Sequence, residues 1–271
     1  MRWVTVRVVP AGAPDIVANF LFSEGAACVQ EDAGALITSF PESVRLDEFR
    51  SGVLSLDPRA EVTLGEPAEF AGSLHGTVAS CVVGSLIVAP PWEAWRHPPE
   101  RTIIIEPAGA FGTGEHPTTR GVLRLMQGTV AKDDVVADLG AGSAVLSIAA
   151  AKLGAARVAA IELDEAAISN AEENVAANGV EQIVSVIQGD AATLLPLLSP
   201  VNVVLANIVS GAVLELLPVI RLSLSVPGVA ILSGILSDER PRMLDAFRDG
   251  GWSLEKEDYE EEWWSALIVP R

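Results

Sequence analysis

Residues 135–164, VVADLGAGSAVLSIAAAKLGAARVAAIELD, carry the reading that decides the fold. Val135 to Leu139 form a short apolar run that suits a buried strand. Gly140 and Gly142 follow as a turn. A helical stretch of about ten residues comes next, and a second apolar strand, Arg157 to Leu163, ends beside an acid. Asp138 sits two positions before the first glycine, and Glu162 lies near the end of the second strand. A strand–turn–helix–strand unit of this kind suits an adenosine-bearing cofactor. Glycines let the backbone approach the ligand, and a helix N-terminus offers free N–H groups to an anionic group. A carboxylate ending the second strand is placed to accept ribose hydroxyls. The dinucleotide pattern G-x-G-x-x-G fails, because Val145 stands at its third glycine.

Working outward, the pattern stays regular. A helix is expected over Pro117–Gln127, another over Ala166–Asn178, and strands over Ile183–Gln188 and Asn202–Asn207. A helix over Ala212–Ser223, a strand over Val229–Ser233 and a helix over Asp238–Arg248 follow. Trp252–Glu257 and Trp263–Val269 close the pattern as strands. The last two are joined by a loop too short for a crossover, so they must pair antiparallel or splay around a neighbour. The fold class expected is α/β, a mostly parallel seven-stranded sheet with one antiparallel strand, placed at its end. Before it, residues 1–85 alternate strands (Trp3–Val9, Ala27–Glu31, Ala35–Phe40, Thr77–Val83) with helices (Ala13–Ser23, Leu46–Leu54). That order suggests a small α+β, ferredoxin-like domain. Prolines at 90, 91, 98 and 99 mark residues 86–101 as a connector. The domains expected are therefore 1–85, 86–101 and 102–271.

Composition narrows the function classes. At 271 residues and 49% hydrophobic, the chain can bury one large core and a smaller one. It lacks an apolar run long enough to span a bilayer, and its first residues do not read as a signal peptide. Cys28 and Cys81 have no metal-ligand spacing and are expected as reduced thiols of a cytoplasmic protein. The net charge of −18 is spread along the chain and repels phosphate backbones, which argues against direct nucleic-acid binding. The acid-rich run Glu255–Glu262 reads as a solvated hairpin loop.

Two further stretches carry chemistry. In the first, Phe111, Gly112, Thr113 and Gly114 make a glycine loop that leads through Glu115 and His116 to Pro117, Thr118 and Thr119, the first turn of a helix. Free N–H groups and hydroxyls there can hold a carboxylate or a ribose. His116 has no partner at ligand spacing, since His75 and His97 lie elsewhere, so no metal is expected. In the second, Val203 to Val209, Asn207 ends an apolar strand, where open α/β sheets bind ligands. Its carbonyl and the adjoining backbone could accept hydrogen bonds from an amine, or the residue could simply close an Asx turn.

Together these stretches resemble one family, the ribosomal protein methyltransferases that trimethylate large-subunit protein eleven. Its AFGTG-x-H-x-TT loop matches Ala110–Thr119, and its D-x-G-x-GSG segment, with the helix that follows, matches Asp138–Ala155. The acid on the second strand matches Glu162, the ANI after the fourth strand matches Ala206, Asn207 and Ile208, and SGIL matches Ser233–Leu236. The likeness covers residues from about 85 to the end. It implies S-adenosylmethionine as cofactor, bound by Phe111, Gly112, Thr113, Thr119, Asp138, Gly140, Gly142, Glu162 and Asn207, with Asn207 also catalytic. It implies methylation of lysine side chains and an N-terminus on a basic ribosomal protein. A cytoplasmic monomer is expected, without metal, membrane or direct nucleic-acid partner. The alternatives are a methyltransferase of another protein or small amine, or a non-catalytic cofactor-binding module. A nicotinamide oxidoreductase is disfavoured by the missing glycine. The family usually has glycine where this chain has Ala144, a change expected to be mild if φ there is negative. Residues 1–85 match no family motif and are expected to recognise the substrate.

Overall fold

The computed structural model describes residues 2–12, 14–23, 26, 29–32, 34–41, 46–65, 68–69, 78–107 and 111–271. Cys28, His75, Thr77 and Ala110, which entered the sequence reading, lie outside them. The chain divides into two compact units, Met1–Thr77 and Val78–Arg271.

The first unit runs β1 (Arg2–Val9), α1 (Pro14–Ser23), β2 (Gln30–Asp32), β3 (Ala35–Pro41), α2 (Leu46–Leu56), β4 (Glu61–Leu64) and β5 (Ala68–Glu69). Its antiparallel sheet has the order β2-β3-β1-β4, with β5 also pairing β1. Element order and strand order are those of a ferredoxin-like fold. Period-2 patterning explains the sheet's buried face: Val4, Val6 and Val8 are buried while Thr5 and Arg7 between them are exposed. The rings of Phe40 and Phe49 pack with centroids 4.9 Å apart, and Phe20 stands 5.9 Å from Phe49. The sequence reading missed β4, whose four residues alternate between exposed and half-buried and carry little apolar signal.

The second unit begins with β6 (Cys81–Val83), β7 (Leu86–Ala89), α3 (Pro91–Ala94) and β8 (Thr102–Ile104). These strands form a sheet of their own, β6-β7-β8, with β7 and β8 parallel. The expected connector over 86–101 is thus not where the chain divides. Leu86, Ile87, Val88 and Ala89 are all buried, and this burial outweighs the proline density that follows them.

The main sheet and its helices are α4 (Pro117–Met126), β9 (Val135–Leu139), α5 (Val145–Leu153), β10 (Arg157–Glu162), α6 (Glu165–Ala177), β11 (Val184–Gln188), α7 (Ala191–Leu198), β12 (Val201–Asn207), α8 (Ser210–Ser223), β13 (Leu224–Leu236), α9 (Arg240–Asp249), β14 (Trp252–Glu260) and β15 (Trp263–Pro270). The strand order is β11-β10-β9-β12-β13-β15-β14. Every described pairing is parallel except those of β15, which runs antiparallel to both neighbours. The single antiparallel strand therefore lies one place in from the edge, not at the end. Burial explains the order. Trp264 to Ile268 on β15 are buried without interruption and need cover on both faces, whereas Glu255, Lys256 and Glu257 make β14 a charged edge. The acidic run is also mostly strand, and only Glu261 and Glu262 turn between β14 and β15. Asp258 and Glu260 bind arginines of α4: Arg124 lies 2.6 Å from each, and Arg120 pairs with Glu260.

Alternate residues of the central strands fill two apolar layers. Val136, Val158, Val203 and Leu205 face α4 and α5, while Leu139, Ile161, Val204 and Ala206 face α7, α8 and α9. Asp164 and Asp190 cap α6 and α7 by accepting backbone N–H groups of their first turns. The sequence reading passed over α7, which is short and contains Pro196.

Candidate functional site

The strand order reverses between β9 and β12, so a crevice opens at their C-terminal ends. Phe111, Gly112, Thr119, Gly140, Gly142, Glu162 and Asn207 all line one pocket there, together with Ala141, Val145, Leu146 and Ile208. Seven of the nine residues expected to hold a cofactor therefore meet around a single cavity. The other two stand apart. Thr113 is half-buried beyond the lining, and Asp138 lies wholly buried beneath the turn.

The turn after β9 explains its glycines. Gly140 has φ 73°, and a Cβ there would fall 2.5 Å from the Ile208 side chain. Gly142 has φ 53°, and its Cβ would meet the Phe111 carbonyl oxygen at 2.5 Å. Ala144 follows at φ 65° and ψ 18°, so the condition of a negative φ, under which the alanine was expected to be mild, is not met. An L-residue in this region costs roughly 1–2 kcal/mol. Its methyl is fully buried in the apolar layer, which offsets about 0.8 kcal/mol of that cost.

Glu162 is committed to backbone. Its Oε1 accepts N–H bonds from Leu163 (2.8 Å) and Asp164 (2.9 Å), and its Oε2 accepts from Gly142 (2.8 Å). Of about four acceptor positions on a carboxylate, one on Oε2 remains for a ligand. Asp138 accepts from Ser147 Oγ at 2.7 Å, and its Oδ1 has no hydrogen-bond partner among the described residues. Burial, with the Glu162 charge adding to it, pushes the Asp138 carboxyl up to about 7, although the Ser147 bond opposes the shift.

On the other wall, Asn207 Nδ2 reaches Thr119 Oγ1 at 3.4 Å, while Asn207 Oδ1 is buried without a partner among the described residues. A buried amide carbonyl left unpaired is costly unless a ligand supplies a donor. His116 caps α4 by accepting the Thr118 N–H, and its ring stands edge-on between Phe111 (centroids 5.2 Å apart) and Trp263 (5.0 Å). Burial and then the Arg120 charge hold His116 below the usual imidazole range, so it is neutral at pH 7. Among the described residues no cluster of acids, histidines or cysteines could hold a metal, and Cys81 is a free thiol. No described helix is long and apolar enough to cross a membrane.

The sequence reading missed Ala141, Val145, Leu146 and Ile208. Ala141 and Ile208 adjoin residues it did select, whereas Val145 and Leu146 reach the crevice as the first residues of α5. It also missed Ser143 and Asn174, whose bonds to the glycine loops span 31 residues or more.

Residues 79–270 match the family model described as ribosomal protein L11 methyltransferase (PrmA). A ribosomal protein L11 methyltransferase of Limosilactobacillus reuteri is 35% identical over 67% of this chain. One from Exiguobacterium sibiricum is 40% identical over 69%. The chain spans only 57% and 58% of the lengths of these two relatives. The crystal structure of ribosomal protein L11 methylase from Lactobacillus delbrueckii subsp. bulgaricus superposes with a TM-score of 0.64 and 28% identity. That match covers 72% of this chain and all of the other. A precorrin-6y C5,15-methyltransferase from Geobacter metallireducens, 19% identical with a TM-score of 0.50, shares the fold over 58% of this chain and 92% of its own. With the matched segment taking in both glycine loops, Glu162 and Asn207, this chain belongs to the ribosomal protein L11 methyltransferase family.

Proposed function

We propose that the protein is an S-adenosylmethionine-dependent methyltransferase that methylates amino groups, lysine side chains and N-terminus, of ribosomal protein L11. The observation that carries this reading is the meeting of both glycine loops, Glu162 and Asn207 around one crevice. Two features fit the cofactor. The positive-φ glycines Gly140 and Gly142 put bare backbone in the pocket lining, and the buried Asn207 Oδ1 has no donor among the described residues.

S-adenosylmethionine, when bound, supplies an electrophilic methyl group on a sulfonium. The residues of this chain then have to bind, align and exclude water. Gly140 and Gly142 give the turn the positive φ and close packing on Ile208 and Phe111 that bring its backbone to the pocket wall. Glu162 Oε2 offers its remaining acceptor position to one ribose hydroxyl, one fewer than the sequence alone suggested. Asn207 Oδ1 is available to accept a hydrogen from the incoming amine and so to aim the nitrogen lone pair. A lysine with an ordinary pKa near 10.4 must first lose its proton, and a dry site beside a cation lowers that pKa. Phe111 and Trp263, with His116 between them, supply apolar ring surface. Asp138 sits under the turn, and Thr113 contributes through the loop.

Residues 1–77 serve in this reading as the substrate-recognition unit. A transfer assay with radiolabelled methyl groups and purified ribosomal protein L11 tests the whole proposal. Label on L11 lysines and its N-terminus is the expected result. Cofactor binding with no transfer to L11 would overturn the substrate, and no cofactor binding would overturn the activity.

A further inference from the structure

We propose that Asn174 is a positioning residue that sets the spacing between the two glycine loops of the pocket; this rests on the reading that the pocket holds S-adenosylmethionine. Asn170 and Asn174 on α6 and Asn178 at its C-cap stand four residues apart and so share one face. They hold the backbone that leads out of β8. Asn178 accepts from Ile104 N (2.9 Å) and donates to Ile104 O (2.7 Å), and Asn170 donates to Glu106 O (3.3 Å).

Asn174 does more than its neighbours. Its Oδ1 accepts from Glu106 N at 2.8 Å, ahead of the first glycine loop. Its Nδ2 donates to Ser143 O at 3.0 Å, inside the second. Ser143 in turn binds back to the first loop, donating its N–H to Phe111 O (2.9 Å) and its hydroxyl to Gly112 O (2.7 Å). Asn174 and Ser143 are each 1% exposed, so water does not compete for these bonds. The loops also meet without slack. A Cβ on Gly112 would lie 2.7 Å from Ser143 Oγ, and one on Gly142 would lie 2.5 Å from Phe111 O. One buried amide thus ties the backbone ahead of the first loop to the turn that holds Phe111 and Gly112 at that loop's start. A shift of either loop changes the pocket's width, since Phe111, Gly112 and Gly142 line it.

The test compares Asn174→Leu with Asn178→Leu in the full chain. Both remove buried or half-buried bonds of the same ladder, but only Asn174 touches the turn. Binding of S-adenosylhomocysteine is measured by calorimetry, and amide exchange of the peptide containing Ser143 by mass spectrometry. Asn174→Leu is expected to bind at least about tenfold more weakly and to exchange faster at Ser143, because a loosened wall loses aligned contacts. Asn178→Leu should match wild type in both readouts even where its melting temperature falls. If Asn174→Leu fails to fold, Asn174→Asp replaces it: one oxygen still accepts from Glu106, while the other opposes the Ser143 carbonyl. Affinity within twofold of wild type, or an equal loss in Asn178→Leu, overturns the proposal. Should the wild type bind no S-adenosylhomocysteine, the cofactor reading fails and exchange decides alone. Faster exchange at Ser143 only in the Asn174 variant then supports the clamp, and unchanged exchange overturns it.

Discussion

Replacing Asp138 with Asn should remove a pH-dependent cost that the wild-type protein carries at neutral pH. Asp138 is fully buried, has one hydroxyl donor and one oxygen without a partner among the described residues, and is pushed from 3.8 up to about 7 in the fold. For an acid with a raised folded pKa, the native state binds the proton that the unfolded chain has already released. Its stability contribution is therefore fully present below about pH 4 and is lost as pH rises towards 7. One pKa unit corresponds to about 1.4 kcal/mol. Across the roughly two units from pH 5 to 7, the group should cost on the order of 2–3 kcal/mol. Asn keeps the shape and cannot ionise, so it lacks that slope. Urea unfolding of both proteins at pH 5, 6, 7 and 8 measures the difference. Tryptophan emission is a suitable signal because Trp252 and Trp264 are buried in the same unit as Asp138. Taking variant minus wild type cancels the titration of the other carboxylates. The variant should gain on wild type by about 2–3 kcal/mol from pH 5 to 7 and level off above that. Parallel pH profiles would mean that Asp138 is ionised in the folded protein throughout, and the burial argument would be wrong.

Glu162→Ala removes acceptors for three backbone N–H groups and for one ligand hydroxyl, so both melting temperature and cofactor affinity should fall. A hydrogen bond to a charged acceptor is worth about 1.5–3 kcal/mol, which sets the affinity loss at tenfold or more; unchanged affinity with an intact circular dichroism spectrum refutes the ribose assignment. Asn207→Ala should lower turnover at saturating substrate by about a hundredfold while cofactor affinity changes little, because misalignment by about 1 Å is that costly. If the variant instead loses cofactor and keeps its turnover, Asn207 is a cofactor ligand only. A fragment starting at Val78 should fold and bind cofactor yet fail to methylate L11, whereas one starting at residue 100 discards β6 and β7 and the buried Val83, Leu86 and Val88. Equal thermal stability of the two fragments would show that these strands are dispensable, and full activity of either on L11 would remove the recognition role of residues 1–77.

The sequence by itself determined what depends on neighbours along the chain. Alternating valines in β1, the apolar run before Gly140, the capping Asp164 and Gly179 after α6 each signal an element through local periodicity or turn chemistry. Seven of the eleven residues lining the crevice were legible for the same reason, since strand ends and glycine turns bear a mark within a few positions. Tertiary structure decided the rest. Leu86–Ala89 became a core strand because β8 and α4 give it partners, which proline counting does not register. The buried β15 took the place inside β14 because its long apolar run needs cover on two faces, which depends on which strands remain to supply it. Ala144 was driven to positive φ by a turn whose path is set by Phe111 and Ile161, and the three-way engagement of Glu162 arises only once β9 and β10 lie side by side. Asn207 and Thr119 meet across 88 residues, and Asn174 reaches Glu106 across 68. Contacts at such separations follow from packing of whole elements, and a single side chain's letter does not encode them.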